Sequence, residues 1–361
     1  SLSLFRNALF FRWRFREYLI MGSLISVIIL NYKGKDYIEE CLDSVLEQTY
    51  EPLEIIVVDN ASSDGSLRIL KEKYSSKIKL IESNANLGFA GGNNLALDYT
   101  KGEFIALLNN DAIADRRWIE EFMSAVSRCD GTFGMWASKI LFYEDREIID
   151  TAGHLIYPDG LNRGRGKGEK DKGQYDEEEE VFFPSGCAAI YRKEMLDIIG
   201  FFDPDFFAYG DDTDLGMKAR VAGWKCIYVP KSVVYHHSSA ASGKYSPLKA
   251  YLVERNRLWV LIKYFPLRYI LLSPFYTVLR WILQLYGALT GKGAAGRFTE
   301  EHSFLMLAGV FIKAYFDAAL GLHGMIRKRL KMNRIKRTGA KEFALWLKKF
   351  RISAAEIALK E

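Results

Sequence analysis

Four short runs of β-branched and aliphatic residues lie between Ser26 and Leu108: SVIIL (26–30), EIIVV (54–58), KIKLI (77–81) and EFIALL (103–108). The stretches between them carry apolar residues at helical spacing, as at Ile38, Leu42, Val45 and Leu46. Continuous apolar strands alternating with helices predict a parallel sheet covered on both faces. In open sheets of this kind ligands bind beyond the carboxyl ends of the strands. The residues just past those ends are Asn31 and Tyr32, Asp59 and Asn60, Ser83 and Asn84, and Asn109, Asn110 and Asp111. Turns and helix caps also favour Asn, Asp and Ser, so any one of these positions has an ordinary explanation. A whole rim of them predicts a ligand site.

The rim lacks two familiar phosphate-binding signatures. No GxGxxG follows the first strand and no GxxxxGK[ST] occurs anywhere, which excludes a dinucleotide enzyme and a P-loop ATPase. NANLGFAGGNNLAL (84–97) offers another device: Gly88, Gly91 and Gly92 admit close backbone approach, and Asn86, Asn93 and Asn94 supply donors and acceptors at a helix entry. Further on, FFAYGDDTDLGMKARVAGW (206–224) places Asp211 and Asp212 at the start of a helix marked by Leu215, Ala219 and Ala222. Acids in a first turn also stabilise the helix dipole, which is the plain structural reading of Asp211, Asp212 and Asp214. A histidine pair, His236 and His237, then follows an apolar run that reads as a strand.

Taken in order, SVIILNYKGKDYIEECLDSVLEQTYEPLEIIVVDNASSDGS, NLGFAGGNN, LLNNDA and FFAYGDDTDLGMKARVAGWK resemble the family 2 glycosyltransferases of the GT-A fold, especially rhamnosyltransferase-like members. The likeness covers roughly residues 24–265 and implies an α/β, Rossmann-like mixed sheet flanked by helices. It also implies an inverting transfer of a sugar from a dTDP- or UDP-linked donor, L-rhamnose among the candidates, to a lipid-linked or cell-envelope glycan. By that resemblance Asp59 contacts the base of the nucleotide, Asn31 and Tyr32 line the same pocket, and Asn86, Asn93, Asn109 and Asn110 belong to the nucleotide-sugar site. The family's DxD motif holds a divalent ion, Mn2+ or Mg2+, on the donor diphosphate; here NND puts Asp111 on the metal, with Asn109 where the first carboxylate would stand. The resemblance makes Asp212 the catalytic base, Asp211 and Gly186 acceptor-side residues, and His236 the completion of the metal or diphosphate site. His237 is its substitute, and Ser242 and Lys244 would touch phosphate. The chemistry requires such parts, because a leaving diphosphate needs an oxygen-bound cation and an incoming hydroxyl needs a base.

Outside this range the chain changes character. Residues 158–186, rich in glycine, lysine and glutamate, are expected to form a mobile surface loop beside the acceptor cleft, with the acids from Asp176 to Glu180 solvated. The boundaries predicted are a basic-aromatic segment at 1–22, a catalytic domain at 23–265 and a helical region at 266–361. Residues 1–20 alternate arginines with aromatics, as a helix at a lipid interface does; an extension upstream of Met21 is the other reading. FYTVLRWILQLYGAL is apolar except for a stripe of Thr277, Arg280 and Gln284, a pattern expected of a helix buried nearly all round. Spanning a membrane would cost ~2.5–3.5 kcal/mol for Arg280 alone, so an interfacial helix is preferred. A second apolar run, 304–326, ends in Arg327, Lys328, Arg329, Lys331, Arg334, Lys336 and Arg337, which suits an anionic membrane surface on the cytoplasmic side. These helices would serve a homodimer equally well. Scattered Cys41, Cys129, Cys187 and Cys226 fit a reducing compartment. Nucleic acid is excluded as partner for want of any recognition module. A sugar nucleotidyltransferase would need a basic glycine-rich loop that LNYKGKDYIEE lacks, and a non-catalytic scaffold is argued against by the presence of Asp111, Asp212 and His236 together.

Overall fold

A computed structural model describes residues 22–237 and 245–360, so the expectations for residues 1–20, Ser242 and Lys244 lie outside the described residues. The four expected strands form as β1 (Ile25–Asn31), β2 (Leu53–Asp59), β3 (Lys79–Glu82) and β4 (Phe104–Asn109). β1 pairs in parallel with β2 and β4, and β2 with β3. Along β1 successive side chains leave by opposite faces: Val27 and Ile29 join Leu42 in one core, while Ile28 joins Ala90 in the other. Helices α1 (Ile38–Leu46), α2 (Ser66–Ile69), α3 (Gly88–Leu97), α4 (Trp118–Arg128) and α5 (Lys193–Ile199) flank the sheet.

The later strands are β5 (Ala112–Ala114), β6 (Phe133–Phe142), β7 (Ile149–Thr151), β8 (His154–Ile156), β9 (Asn162–Gly164), β10 (Glu179–Val181), β11 (Ala188–Arg192) and β12 (Lys225–His236). They extend the sheet to ten strands in the order β10-β12-β6-β11-β4-β1-β2-β3, with β5 on β12 and β7 on β6. β11 runs antiparallel to β4 and β6, which makes the sheet mixed. β8 and β9 form a separate hairpin. This is the α/β, GT-A-type arrangement that the motifs imply.

Residues 158–186 correct the expectation of a mobile loop. They contain β9 and β10, Asp159 is fully buried, and Phe182 and Phe183 enter the core. Four of the five acids from Asp176 to Glu180 are paired instead of merely solvated: Asp176 meets Lys139 at 2.6 Å, Glu180 meets Arg220 at 2.6 Å and Lys349 at 2.7 Å, and Glu178 and Glu179 pair with Arg128 and Arg165. All of these partners but Arg165 lie outside the segment, which is why composition alone read as a loop.

After α6 (Asp211–Val221) and α7 (Pro247–Tyr264), the chain continues through α8 (Leu267–Thr290), α9 (Gly293–Glu301), α10 (Phe304–Leu320), α11 (Leu322–Met332), α12 (Ala340–Lys349) and α13 (Ala354–Leu359). This end interlocks with the catalytic core. Phe350 lies 5.3 Å from Phe182, centre to centre, and the Ile156 N–H donates to the Phe350 carbonyl at 2.8 Å. Of the basic run, Lys328 pairs with Asp203 and Asp205, and Arg329 caps the Ile262 and Phe265 carbonyls, whereas Arg327, Lys331, Arg334, Lys336 and Arg337 are exposed.

Helix α8 is turned inside out and corrects the expectation that it is buried all round. Its stripe of Ser273, Thr277 and Arg280 faces the protein, while Leu271, Phe275 and Leu289 are 71%, 69% and 78% exposed. The inward stripe is anchored by charge: Arg280 Nε donates to Asp159 at 2.8 Å and Nη1 to Glu254 at 2.7 Å, with Arg257 also on Glu254 at 2.7 Å. Burial alone would raise the Glu254 carboxyl, but Arg257 and Arg280 outweigh it and hold it down at about 2. Among the described residues no single helix is long and apolar enough to cross a membrane; α9 and α10 together are, but they meet at a bend of 117°.

Removing one partner of a buried ion network strands the others. Arg280→Ala is therefore expected to lower stability by about 3–5 kcal/mol in chemical denaturation. Glu254's carboxyl is depressed in the folded protein, so its contribution is present above the unfolded value of about 4.3 and is lost as pH falls toward 2. The stability gap between wild type and variant should narrow over that window.

Candidate functional site

The rim begins with a buried amide. Asn31, at the end of β1, donates from Nδ2 to Asp59 Oδ1 at 2.8 Å and to Ser66 Oγ at 2.9 Å, and its Oδ1 accepts from Asn110 Nδ2 at 3.2 Å. One side chain thus ties together the ends of β1, β2 and β4. Asp59 Oδ2 also accepts the Ser62 N–H at 3.1 Å, which aligns the carboxylate at the strand end. Tyr32 is half-buried beside this cluster in sequence. Gly34 explains the close approach: a Cβ there would sit 2.3 Å from Asn110 Nδ2 and 2.4 Å from Asn31 Oδ1.

The other asparagines divide. Asn86 Oδ1 accepts from Asn60 Nδ2 at 3.0 Å and from the Gly88 N–H at 2.9 Å, shaping the entry to α3 next to the rim. Asn93 is buried and donates to the Phe89 carbonyl of its own helix, and Asn94 exchanges hydrogen bonds with Phe202, so these two face α3 and its neighbours. Asn109 is half-buried, with its backbone N–H on the Cys187 carbonyl at 2.8 Å.

Beyond Asn110 the chain turns into β5, which pairs with β12 so that Ala112 stands opposite His236. That register sets His236 Nε2 3.3 Å from Asp111 Oδ1. The ring's Nδ1 meets Asp150 Oδ2 at 2.8 Å, and Asp150 is paired with Lys167. Burial opposes ionisation of Asp150, but Lys167 and His236 prevail and hold its carboxyl far below the usual range. Burial likewise opposes a charged His236, while Cys187, Asp111 and Asp150 hold the ring well above its ordinary value. His237 points elsewhere, to Glu144 at 3.0 Å.

This arrangement fits a divalent cation. His236 Nε2 is buried with no hydrogen-bond partner and faces a carboxylate, while its Nδ1 is oriented by a second carboxylate, the pattern of an oriented metal-ligating histidine. Among the described residues no three acid, His or Cys side chains converge as a complete metal cage. Asp111 and His236 would therefore leave positions for diphosphate oxygens and water, as phosphate-bound divalent ions require.

Helix α6 begins with Asp211 and Asp212. Asp212 Oδ2 lies 3.5 Å from the Gly186 N–H, and its Oδ1 accepts the Thr213 N–H at 2.7 Å. Gly186 adjoins Cys187, whose carbonyl binds Asn109, so the acid and the Asn109–Asp111 rim meet across one strand junction. Asp211 is only 5% exposed; burial first, and then the Asp212 charge, push its carboxyl well above the usual range. Asp214 is fully buried on Lys263 and Tyr264 and anchors α6 to α7.

Three contributors escaped the sequence reading. His154 places Nε2 4.0 Å from Asp212 and stacks on Phe183 at 5.1 Å; burial pushes its pKa down against the pull of Asp212 and Asp150. Asn162 donates to Thr213 Oγ1 at 2.7 Å. Asn256, on α7, donates toward the Phe206 and Ala208 carbonyls, each at 3.0 Å, and the Tyr209 carbonyl at 2.5 Å. It thereby supports the loop into Asp211, where Phe207 and Tyr209 take φ of 64° and 60°, strained for non-glycine residues. No motif marks any of the three, nor Asp150, which orients His236.

The chain is similar in sequence to known glycosyltransferases. Residues 26–200 match the model of Glycosyl transferase family 2, and residues 168–316 match that of Glycosyl transferase family group 2. An N-acetylglucosaminyl-diphospho-decaprenol L-rhamnosyltransferase of Mycobacterium tuberculosis is 23% identical over 248 residues, 62% of this chain and 79% of that protein. The UDP-Glc:alpha-D-GlcNAc-diphosphoundecaprenol beta-1,3-glucosyltransferase WfaP of Escherichia coli is 33% identical over 141 residues, 39% and 54% of the two chains. An uncharacterized glycosyltransferase of Haemophilus influenzae is 38% identical over 109 residues, 30% of this chain, and the match spans 34% of that protein's length. In fold the chain is similar to the mannosyltransferase PcManGT of Pyrobaculum calidifontis (TM-score 0.50, 21% identity, covering 89% and 95% of the chains) and to GalNAc-T7 (TM-score 0.56, 16% identity, 78% and 54%).

Outer partners of a ligating histidine typically carry a 10–100-fold share of metal affinity. Asp150→Asn should weaken Mn2+ binding by about that factor when titrated calorimetrically with a nucleoside diphosphate present. Unchanged affinity would show that Asp150 does not orient a metal ligand.

Proposed function

We propose that the chain, whose residues 26–200 and 168–316 match two glycosyltransferase family 2 models, is a sugar-transferring enzyme that moves a sugar from a dTDP- or UDP-linked donor to a hydroxyl of a lipid-linked glycan by inverting displacement. The carrying observation is that one strand junction joins two sets of groups: Asn31, Asp59 and Asn110 with Asp111 and His236 on the strand rim, and Asp212 beside Gly186, whose neighbour Cys187 accepts the Asn109 N–H.

Asn31 and Asp59 offer a buried amide and carboxylate to the edge of a pyrimidine base, and Asn110 prolongs that edge toward the phosphates. Asp111 and His236 would hold a divalent ion, which supplies charge stabilisation to the departing diphosphate. Asp212, kept in place by the Gly186 and Thr213 N–H groups, takes the acceptor proton as the hydroxyl oxygen bonds to the anomeric carbon. The bond to the diphosphate breaks on the opposite face, so configuration inverts. Asp211, largely buried and biased toward its neutral form, would act on the acceptor side through the loop it terminates.

Two supports favour a lipid-linked acceptor. Relatives from Mycobacterium and Escherichia are named for diphospho-polyprenol-linked substrates. The chain also shows an outward apolar face on α8 and α10, with exposed Arg327, Lys331, Arg334 and Lys336 nearby in sequence, as a protein seated on an anionic cytoplasmic leaflet would.

The test is nucleotide release from a donor panel with detergent-solubilised lipid-linked acceptors, in Mn2+, Mg2+ or chelator. One donor should be turned over in a metal-dependent way. Asp212→Asn should lose about 10²–10⁴-fold in turnover while still binding that donor. A mutant as active as wild type would sink Asp212 as the base.

A further inference from the structure

A cavity of about 450 Å³ opens between α7, α8, α9 and α10, away from the strand rim. Val253, Trp281, Leu285, Phe298, Leu307 and Phe311 make its walls apolar. The volume is that of a small-ligand site. Its lining also includes Asn162, Arg163 and Lys249, with Ser246, Glu254 and Gln284, so a largely apolar wall carries cations and amides at its polar part.

The polar lining points to the catalytic acid. Asn162 donates to Thr213 Oγ1 at 2.7 Å, and Thr213 Oγ1 lies 3.3 Å from Asp212 Oδ1. Two hydrogen bonds therefore connect the groove to the proposed base. The Lys249 ammonium stands 5.2 Å from the centre of the Tyr209 ring, in the loop that leads into Asp211 and Asp212. The apolar lining points the other way. Trp281 and Leu285 come from α8, the helix whose Leu271, Phe275 and Leu289 face outward. Glu254 also lines the groove, but Arg257 and Arg280 neutralise it.

We propose that this groove binds the first isoprenoid units of a polyprenyl-diphosphate-linked acceptor, with Arg163 and Lys249 against its diphosphate and its sugar end directed to Asp212. The proposal rests on the lipid-linked acceptor argued above. Hydrocarbon against aromatic and aliphatic walls leaves water favourably, and cations complement the diphosphate. The apolar surface of α8 then offers the rest of the chain a path toward a bilayer. A helix from a partner, or a second copy of this chain, would leave unexplained why the cations lie beside the residues that lead to Asp212.

Ala308 and Ala288 line the groove and are half-buried, so bulky residues there fill it. The full-length protein would be assayed with two acceptors bearing the same diphospho-sugar, one on a long polyprenyl chain and one on a short alkyl chain. Ala308→Trp should raise KM for the polyprenyl acceptor by about tenfold or more and leave KM for the short-chain acceptor and kcat unchanged. Equal loss on both acceptors, or no loss on either, would overturn the groove while leaving the lipid-linked acceptor standing. Wild type active only on lipid-free glycans would overturn both. Should the variant fail to fold, a diazirine-bearing polyprenyl diphosphate on the wild-type protein decides: crosslinks at α8 and α10 lining residues are expected, and crosslinks confined to other surfaces would refute the site.

Discussion

A strand covered on both faces cannot carry polar chemistry along its length, and the rest of this molecule follows from that constraint. In β1 the residues from Ile25 to Ile29 are all buried, and the polar one among them, Ser26, is accommodated by hydrogen bonds with Glu54 and the Gly102 N–H. Buried polar groups are tolerated only when partnered in this way. Ligand chemistry is therefore displaced to the strand ends, where Asn31, Asp59 and Asn110 share hydrogen bonds across three strands. The same strand-end logic brings in His236, because β5 pairs with β12 in a register that sets it beside Asp111.

The acid side depends on a second, helical layer. Asp212 heads a helix whose approach loop is strained at Phe207 and Tyr209 and is supported by Asn256 from α7. α7 in turn carries Glu254, which with Asp159 receives Arg280 of α8. Helix α7 thus links the loop before the base, through Asn256, to an inside-out helix held by Glu254, whose apolar surface faces outward. The inversion is stable because a buried guanidinium with two carboxylates is satisfied, while outward leucines leave no polar group stranded.

Much of this was legible in the residues. The β-branched runs located β1 to β4 to within a few positions, and the ordered motifs placed Asn31, Asp59, Asp111, Asp212 and His236 on one rim or helix start before any coordinates. Asp214 read as a structural acid and is buried on Lys263. Residues 158–186 read as a loop because their partners, Lys139, Arg128, Arg220 and Lys349, lie far away in the chain. Asp150, His154, Asn162 and Asn256 carried no signal for the same reason: each acts on a group that only folding brings near.

What the sequence by itself determined is periodic and local: a parallel sheet, the polar ends of its strands, a helix opening with carboxylates, and a family likeness carried by those same segments. What only the tertiary structure decided is direction and partnership. The stripe Thr277, Arg280, Gln284 shows that α8 has two faces, yet periodicity cannot say which face meets the protein. That choice was made by Asp159 and Glu254, more than a hundred and about two dozen residues upstream of Arg280 respectively, because an arginine buried between two carboxylates is stable and an arginine facing hydrocarbon is not.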